Sequence, residues 1–348
     1  GLGQTFSNAE VKEITARLEG KYQEKIRMQQ RVAELAKTRI ERRDKAKADG
    51  VSLGSVLTQD SPVHVVEVHM TGLQTSRMKD VSAKQDRFAF SKADFEWNQQ
   101  LTKEVYLHLQ GVKVDGDSIQ FVDEKDAEEL MFITKRMPEG TILFDRLMKG
   151  DLTQDDFYEI GKQFAEREKN FVWNGTMSDE SLLDNMLERY DDIVAWIKDV
   201  KEVSALEKET WANQLKELLV HAYTHNSSKV SICFDLHSLN AFYVDQTLYP
   251  FDTHPPKDAW RFGPPLLNLY RLATDVFALA GEKEFGAVMS GYHDYLGKGM
   301  PSQETNRLFV IYASLIMVSY LYMLGKTDTD KQGAAVKYHD FLKRYIAK

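Results

Sequence analysis

Hydrophobic positions change their period along this chain, and the changes divide it. Over residues 8–49, Val11, Ile14, Leu18, Tyr22, Ile26, Val32 and Leu35 recur at helical spacing among charged residues, after a capping-box pattern at Ser7-Asn8-Ala9-Glu10. The pattern predicts one long amphipathic helix, about 60 Å if continuous at 1.5 Å per residue. Such a stripe must be covered, either by the body of the protein, a second copy in a coiled coil, or another protein. Gly50-Val51-Ser52-Leu53-Gly54-Ser55 ends it as a linker.

Strand-like alternation follows. Val63 to Met70 predicts a strand and Thr75 to Lys79 a weaker one; Ser91-Lys92-Ala93-Asp94 predicts a cap for a helix running to about Leu109. Gly111 to Asp123 reads as a hairpin, and Leu130 to Arg136 as a strand stopped by Met137-Pro138. Beyond Ile142 the period is helical, with a cap at Thr153 and a helical pair over about 178–228. Strand character returns between Lys229 and Asp252. Residues 1–50, 51–137 and 138–348 are therefore the expected divisions: helix, small sheet-bearing part, large helical part. Leu308 to Leu324 carries no charge over 17 residues, short for a membrane span; with three Tyr and two Ser it predicts a buried helix ending at Gly325.

Charge and composition refine this. The 348 residues are 43% hydrophobic, enough to bury a large core, and carry a net charge of −8. The first 50 residues hold 12 Lys/Arg against 8 Asp/Glu, so the rest is clearly acidic and makes a poor nucleic-acid or anionic-membrane surface. A single cysteine, Cys233, excludes an internal disulfide framework and a Cys-based zinc site. It lies in the apolar run Val230-Ser231-Ile232-Cys233-Phe234, where a thiol acts as a small hydrophobe rather than a nucleophile. The sequons at Asn174 and Asn226 matter only in a secreted chain. No signal peptide is visible at Gly1-Leu2-Gly3-Gln4, which reads as a trimmed or processed end, and a cytoplasmic location is expected.

The chemistry concentrates between Cys233 and Asp252. Asp235, Asn240 five residues on, and Asp252 after Ala241 to Val244, a turn at Asp245-Gln246-Thr247 and Leu248 to Phe251 have the spacing of a kinase-type phosphoryl-transfer site. In that reaction one Asp orients or deprotonates the attacking hydroxyl, while an Asn oxygen and a second Asp hold the metal ions that bridge nucleotide phosphates.

These residues resemble the aminoglycoside phosphotransferase and choline-kinase group of the protein-kinase-like superfamily, and in particular the bacterial phosphotransferase-like domain often fused to a P-loop kinase module. That family reads His-Gly-Asp-Leu-His-x-x-Asn, then Phe-Asp after the hairpin; this chain has Cys233-Phe234-Asp235-Leu236-His237-Ser238-Leu239-Asn240 and Phe251-Asp252. Asn98 to Leu107, Lys135 to Gly140, Leu143 to Leu147, Gly150 to Thr153, Ala273 to Leu279 and Tyr292 to Leu296 resemble further segments in order, across roughly residues 63–325.

The resemblance implies an α+β, bilobal protein-kinase-like fold with a small β-rich N-lobe and a large helical C-lobe behind the long N-terminal helix. It implies ATP and Mg2+ as cofactors, with Asp235 the catalytic base, His237 bracing the loop, and Asn240 and Asp252 the metal ligands. Lys79, with Arg77 second, would contact nucleotide phosphates; Asp94 or Glu96 would position it; Lys135 and Met137 would lie at the nucleotide hinge. The chain departs from the family at Cys233 and Phe234, and at Arg271, which stands where an Asp usually ties down the catalytic-loop backbone. Two functions follow: a phosphotransferase acting on a hydroxyl of a small molecule, or an impaired pseudokinase whose residues 8–49 recruit a partner. Asp179, Glu180, Asp184, Glu188, Asp191 and Asp192 would suit a cationic acceptor, or simply form a solvated helix face.

Overall fold

A computed structural model describes residues 63–66, 84–115, 118–172, 182–224, 230–255, 258–326 and 328–347. The expected helix over 8–49, its linker, the weak strand at Thr75 to Lys79, and with it Lys79 and Arg77, lie outside these residues. The chain divides into two units, the first ending at Arg136 and the second beginning at Met137.

In the first unit the four described strands form one antiparallel sheet. β1 (Val63–Val66) and β2 (Tyr106–Asp115) flank β4 (Glu129–Lys135), and β3 (Ser118–Val122) pairs with the outer edge of β2. Helix α1 (Lys84–Leu101) lies against β2 and β4. Phe95 on the helix meets Tyr106 and Phe132 on the sheet edge-to-face, with ring centroids 5.9 and 5.6 Å away. The helix stops eight residues before Leu109. After Leu101 the chain turns, with the amides of Val105 and Tyr106 both donating to the Thr102 carbonyl, and residues 106–115 then pair with β4 and β3. Pairing thus overrides the helical reading of Leu101 to Leu109. Ser91, expected as a cap, is buried inside the helix.

The second unit is mostly helical. Helices α2 (Leu143–Lys149), α3 (Gln154–Asn170), α4 (Leu182–Lys198) and α5 (Ala205–Tyr223) come first; α6 (Leu267–Leu279), α7 (Glu282–Leu296), α8 (Gln303–Leu324) and α9 (Thr329–Ile346) follow. Thr153 caps α3 through a reciprocal box with Asp156. α3 and α7 approach closely because each brings a glycine to the crossing. A Cβ on Gly161 would stand 1.9 Å from the Val288 carbonyl oxygen, and one on Gly291 2.0 Å from that of Tyr158. α8 is the apolar run; 78% of its most hydrophobic stretch is buried among α4, α5, α6 and α9, which makes it a core helix of this unit. Gly325 ends it in right-handed geometry with φ −63°, where Cβ-free backbone lies against Gln332.

Between α5 and α6 lie β5 (Ser231–Ile232), paired with β8 (Phe262–Gly263), and the hairpin β6 (Ala241–Val244) to β7 (Thr247–Pro250). The turn is the two residues Asp245 and Gln246, both left-handed at φ 47° and 59°, as the twist of a tight hairpin requires. Gln163 of α3 clamps it, donating to the Gln246 carbonyl at 2.7 Å and accepting the Leu248 amide at 2.9 Å.

Candidate functional site

The segment from Ile232 to Asn240 has little regular structure of its own, so its backbone must be held from outside. Helix α6 does most of this with one stripe of side chains. Asn268 accepts the Phe234 amide at 2.8 Å and donates to the Ile232 carbonyl at 2.8 Å and to Glu168 on α3 at 2.6 Å. Three residues on, Arg271 donates through Nη2 to Asp235 Oδ1 at 2.7 Å. One turn further, Asp275 accepts the Ser238 amide at 2.6 Å through Oδ2, while its Oδ1 takes the Tyr338 hydroxyl. The carboxylate that anchors the loop is thus Asp275, four residues after the position where the sequence expected it. Arg271 faces the side chain of Asp235 instead.

The far side of the loop is fastened to the β6–β7 hairpin. Asp235 donates its amide to Thr253 at 2.8 Å, and Phe251 donates to the Asn240 carbonyl at 2.9 Å. The Asn240 side-chain nitrogen donates to the backbone carbonyls of both Asp235 and Asp252, each at 2.9 Å. That fixes which end of the amide is nitrogen and turns Oδ1 away from the backbone. Asp252 holds φ at 50°, a left-handed conformation uncommon for a residue with a side chain. Such backbone persists only where surrounding structure enforces it, and here the Asn240 bridge and the rigid hairpin do so.

Electrostatics follow from burial. Taken alone, burial would raise the Asp235 carboxyl, but Arg271 and then His237 bring it below the ordinary carboxylate range. His237 is buried, its ring edge-on to Tyr320 of α8 at 5.8 Å, and burial lowers its pKa, so the imidazole stays neutral near pH 7. Its Nδ1 is buried without a hydrogen-bond partner. Tyr320 is a neighbour that the sequence reading missed. Its hydroxyl is pushed up to about 12 by burial, with Asp235 and Asp252 adding to the effect, which places it within their field. Nothing in the period of α8 separates this Tyr from the core residues around it. Cys233 is buried, and burial raises its thiol to about 11, so it is no nucleophile.

Asp235, His237, Asn240 and Asp252 are therefore brought together in the second unit. Met137 is its first residue and half-buried. Asp94 and Lys135 belong to the first unit: Asp94 Oδ1 accepts the Asn98 side chain at 2.8 Å, and Lys135 is exposed at the end of β4. Among the described residues, no three His, Cys, Asp or Glu side chains cluster as a self-sufficient metal site. The residues here that could hold a metal ion are Asn240, through Oδ1, and Asp252, through its carboxylate. Such a pair would suit Mg2+, which in nucleotide complexes is usually bound through only one or two protein carboxylates.

No protein-family model and no curated protein sequence matches the chain. Among solved structures it is similar to a glucosamine kinase in complex with glucosamine, ADP and inorganic phosphate, with TM-score 0.46 and 10% identity over 64% of this chain and 66% of that one. A choline kinase from Cryptosporidium parvum Iowa II follows at TM-score 0.40, 11% identity, 63% of this chain and 71% of that one. For an aminoglycoside-3'-phosphotransferase of type VIII the values are 0.41, 13%, 73% and 94%. Its structural neighbours are small-molecule kinases and phosphotransferases. The matched part of this chain spans just under two thirds of the first glucosamine kinase structure.

Proposed function

We propose that this protein is a Mg2+- and ATP-dependent phosphotransferase acting on a hydroxyl of a small molecule. The observation that carries the reading is the Asn240 bridge: one side chain ties the backbones of Asp235 and Asp252 together through its nitrogen and leaves its oxygen out of that bridge. Asn240 and Asp252 would hold magnesium, which when bound neutralises charge on the nucleotide phosphates. Asp235 would orient the acceptor hydroxyl and take its proton. His237, neutral and wedged against Tyr320, would keep the loop seated. Lys79, Asp94, Lys135 and Met137 would serve the nucleotide from the other end of the chain, and the α4–α5 pair would border the acceptor. Catalysis would come from positioning and charge neutralisation.

The ion pair between Arg271 and Asp235 favours a second reading, an impaired kinase that binds a partner through residues 8–49, because a carboxylate held by a buried guanidinium is a poor base. Thermal melts separate the two. An active enzyme gains stability from ATP only with magnesium, loses that gain in Asp252→Ala, and keeps it in Asp235→Asn while losing transfer. Absence of any shift at millimolar nucleotide would refute the phosphotransferase.

A further inference from the structure

A small cavity of about 10 Å³, room for one water, opens beside Asp235 in the second unit. Its lining includes Arg189, Arg271, Asp235, Tyr312 and Trp260. Two guanidinium groups and one carboxylate thus face the same space, and both arginines are more than nine-tenths buried, at 3% and 6% exposure. Arg189 is held in place: Nε donates to Asn185 at 3.1 Å, Nη2 donates to the Phe262 carbonyl, and the guanidinium lies 5.3 Å over the Trp260 ring. Arg271 gives Nη2 to Asp235, but its Nη1 is buried without an acceptor. An unmet donor on a buried cation is costly, and an anionic oxygen is the partner that suits it best. The acidic residues of α4 therefore do not describe this lining, which brings two guanidinium groups and one carboxylate to the same space.

We propose that these arginines form an anion subsite, and that the acceptor carries a carboxylate or phosphate group close to the hydroxyl that is phosphorylated. The acceptor's anionic group takes Arg271, flanked by Arg189, and draws it from Asp235. The carboxylate so released orients the hydroxyl. The cavity holds no more than a water, so the separation of Arg271 from Asp235 also makes the room. Arginine suits this exchange, since its planar fork pairs with carboxylate and phosphate alike. The role given to Asp235 rests on the phosphotransferase reading; the anion subsite does not.

Calorimetric titration of the full chain tests it, using glycerate as the carboxylate probe, glycerol 3-phosphate as the phosphate probe, and glycerol as neutral control at matched ionic strength. The expected result is saturable binding of one of the two anions and none of glycerol. Arg271→Gln should weaken that binding by about tenfold or more, the worth of a charge-assisted hydrogen bond. Asp235→Asn, which removes the competing carboxylate, should strengthen it. Should Arg271→Gln fail to fold, Asp235→Asn and Arg189→Lys decide. Lack of binding by either anion, or an affinity indifferent to Asp235→Asn, overturns the proposal. Anion binding without a magnesium–ATP shift sinks the phosphotransferase and leaves the subsite standing; the reverse pair of results does the opposite.

Discussion

Replacing Asp275 by Asn should loosen the loop that carries Asp235, and the size of the effect can be worked from its partners. Asp275, Ser238 and Tyr338 are each fully buried, so neither the Ser238 amide nor the Tyr338 hydroxyl can turn to water if the carboxylate is lost. Asn keeps the volume but offers one oxygen where two served, and points an NH2 group at the second donor. Losing one charge-assisted hydrogen bond while orphaning its donor costs about 1.5–3 kcal/mol. Arg271 also loses a nearby negative charge, which takes the total toward the roughly 3–5 kcal/mol typical of breaking a buried charged pair. For a transition of this unit's size that is a fall in Tm of about 6–20 °C. Tyr338→Phe removes one bond without orphaning a donor and should cost about 1 kcal/mol. The double variant should cost less than the sum, because the two changes share a partner. Urea and thermal melts give the energies, and hydrogen exchange at the Ser238 amide gives the local effect. A loss below about 1 kcal/mol in Asp275→Asn, or unaltered Ser238 exchange, refutes the anchor.

Other consequences are as direct. Gly161→Ala should destabilise by about 1–3 kcal/mol through the clash with the Val288 carbonyl, whereas Gly286→Ala, with nothing within 4 Å of its Cβ, should gain about 0.5–1 kcal/mol from helix propensity; equal effects in chemical denaturation would refute the close α3–α7 crossing. Glu207 is held down to about 2 from an ordinary value of 4.5, chiefly by the Ser204 hydroxyl in the α5 capping box, then by Lys343 and His339. A depressed carboxylate stabilises above its unfolded pKa and stops doing so as pH falls through the folded one. Glu207→Gln should therefore flatten the loss of Tm between about pH 5 and pH 2, and an unchanged slope over that window counts against the cluster.

Elements with a strong local reason to form were readable from the sequence. The Thr153 box, the α4–α5 pair and the uncharged run of α8 each declare themselves within one segment, through a cap or an apolar stripe. The helix expected to reach Leu109 failed because residues 106–115 are decided by pairing with the next two strands, β3 and β4, and a segment taken alone carries no record of its partners. Asp235, Asn240 and Asp252 were legible as a spacing. Their supports were not, since Asn268, Asp275, Tyr320 and Gln163 come from helices distant in sequence and look there like ordinary helix residues.

The ambiguity at Arg271 has a geometric cause. Residues 268, 271 and 275 fall on one face of α6 and climb about 10 Å along its axis. Beside them the chain from Phe234 to Ser238 advances about 13 Å if fully extended, so helix and loop run abreast and their contacts stay in order: Asn268 with 232 and 234, Arg271 with 235, Asp275 with 238. Two positions four apart on that face both point at the loop, and sequence alone does not say which meets backbone and which meets the Asp235 side chain. The consequence is a division of labour along one helix. Asn268 and Asp275 fix where the loop lies, while Arg271 sets the charge around Asp235. A change at 271 should therefore alter how Asp235 ionises and what binds beside it with the Ser238 anchor intact, whereas a change at 275 should free the Ser238 amide first and reach Asp235 only through Arg271 and the loosened loop.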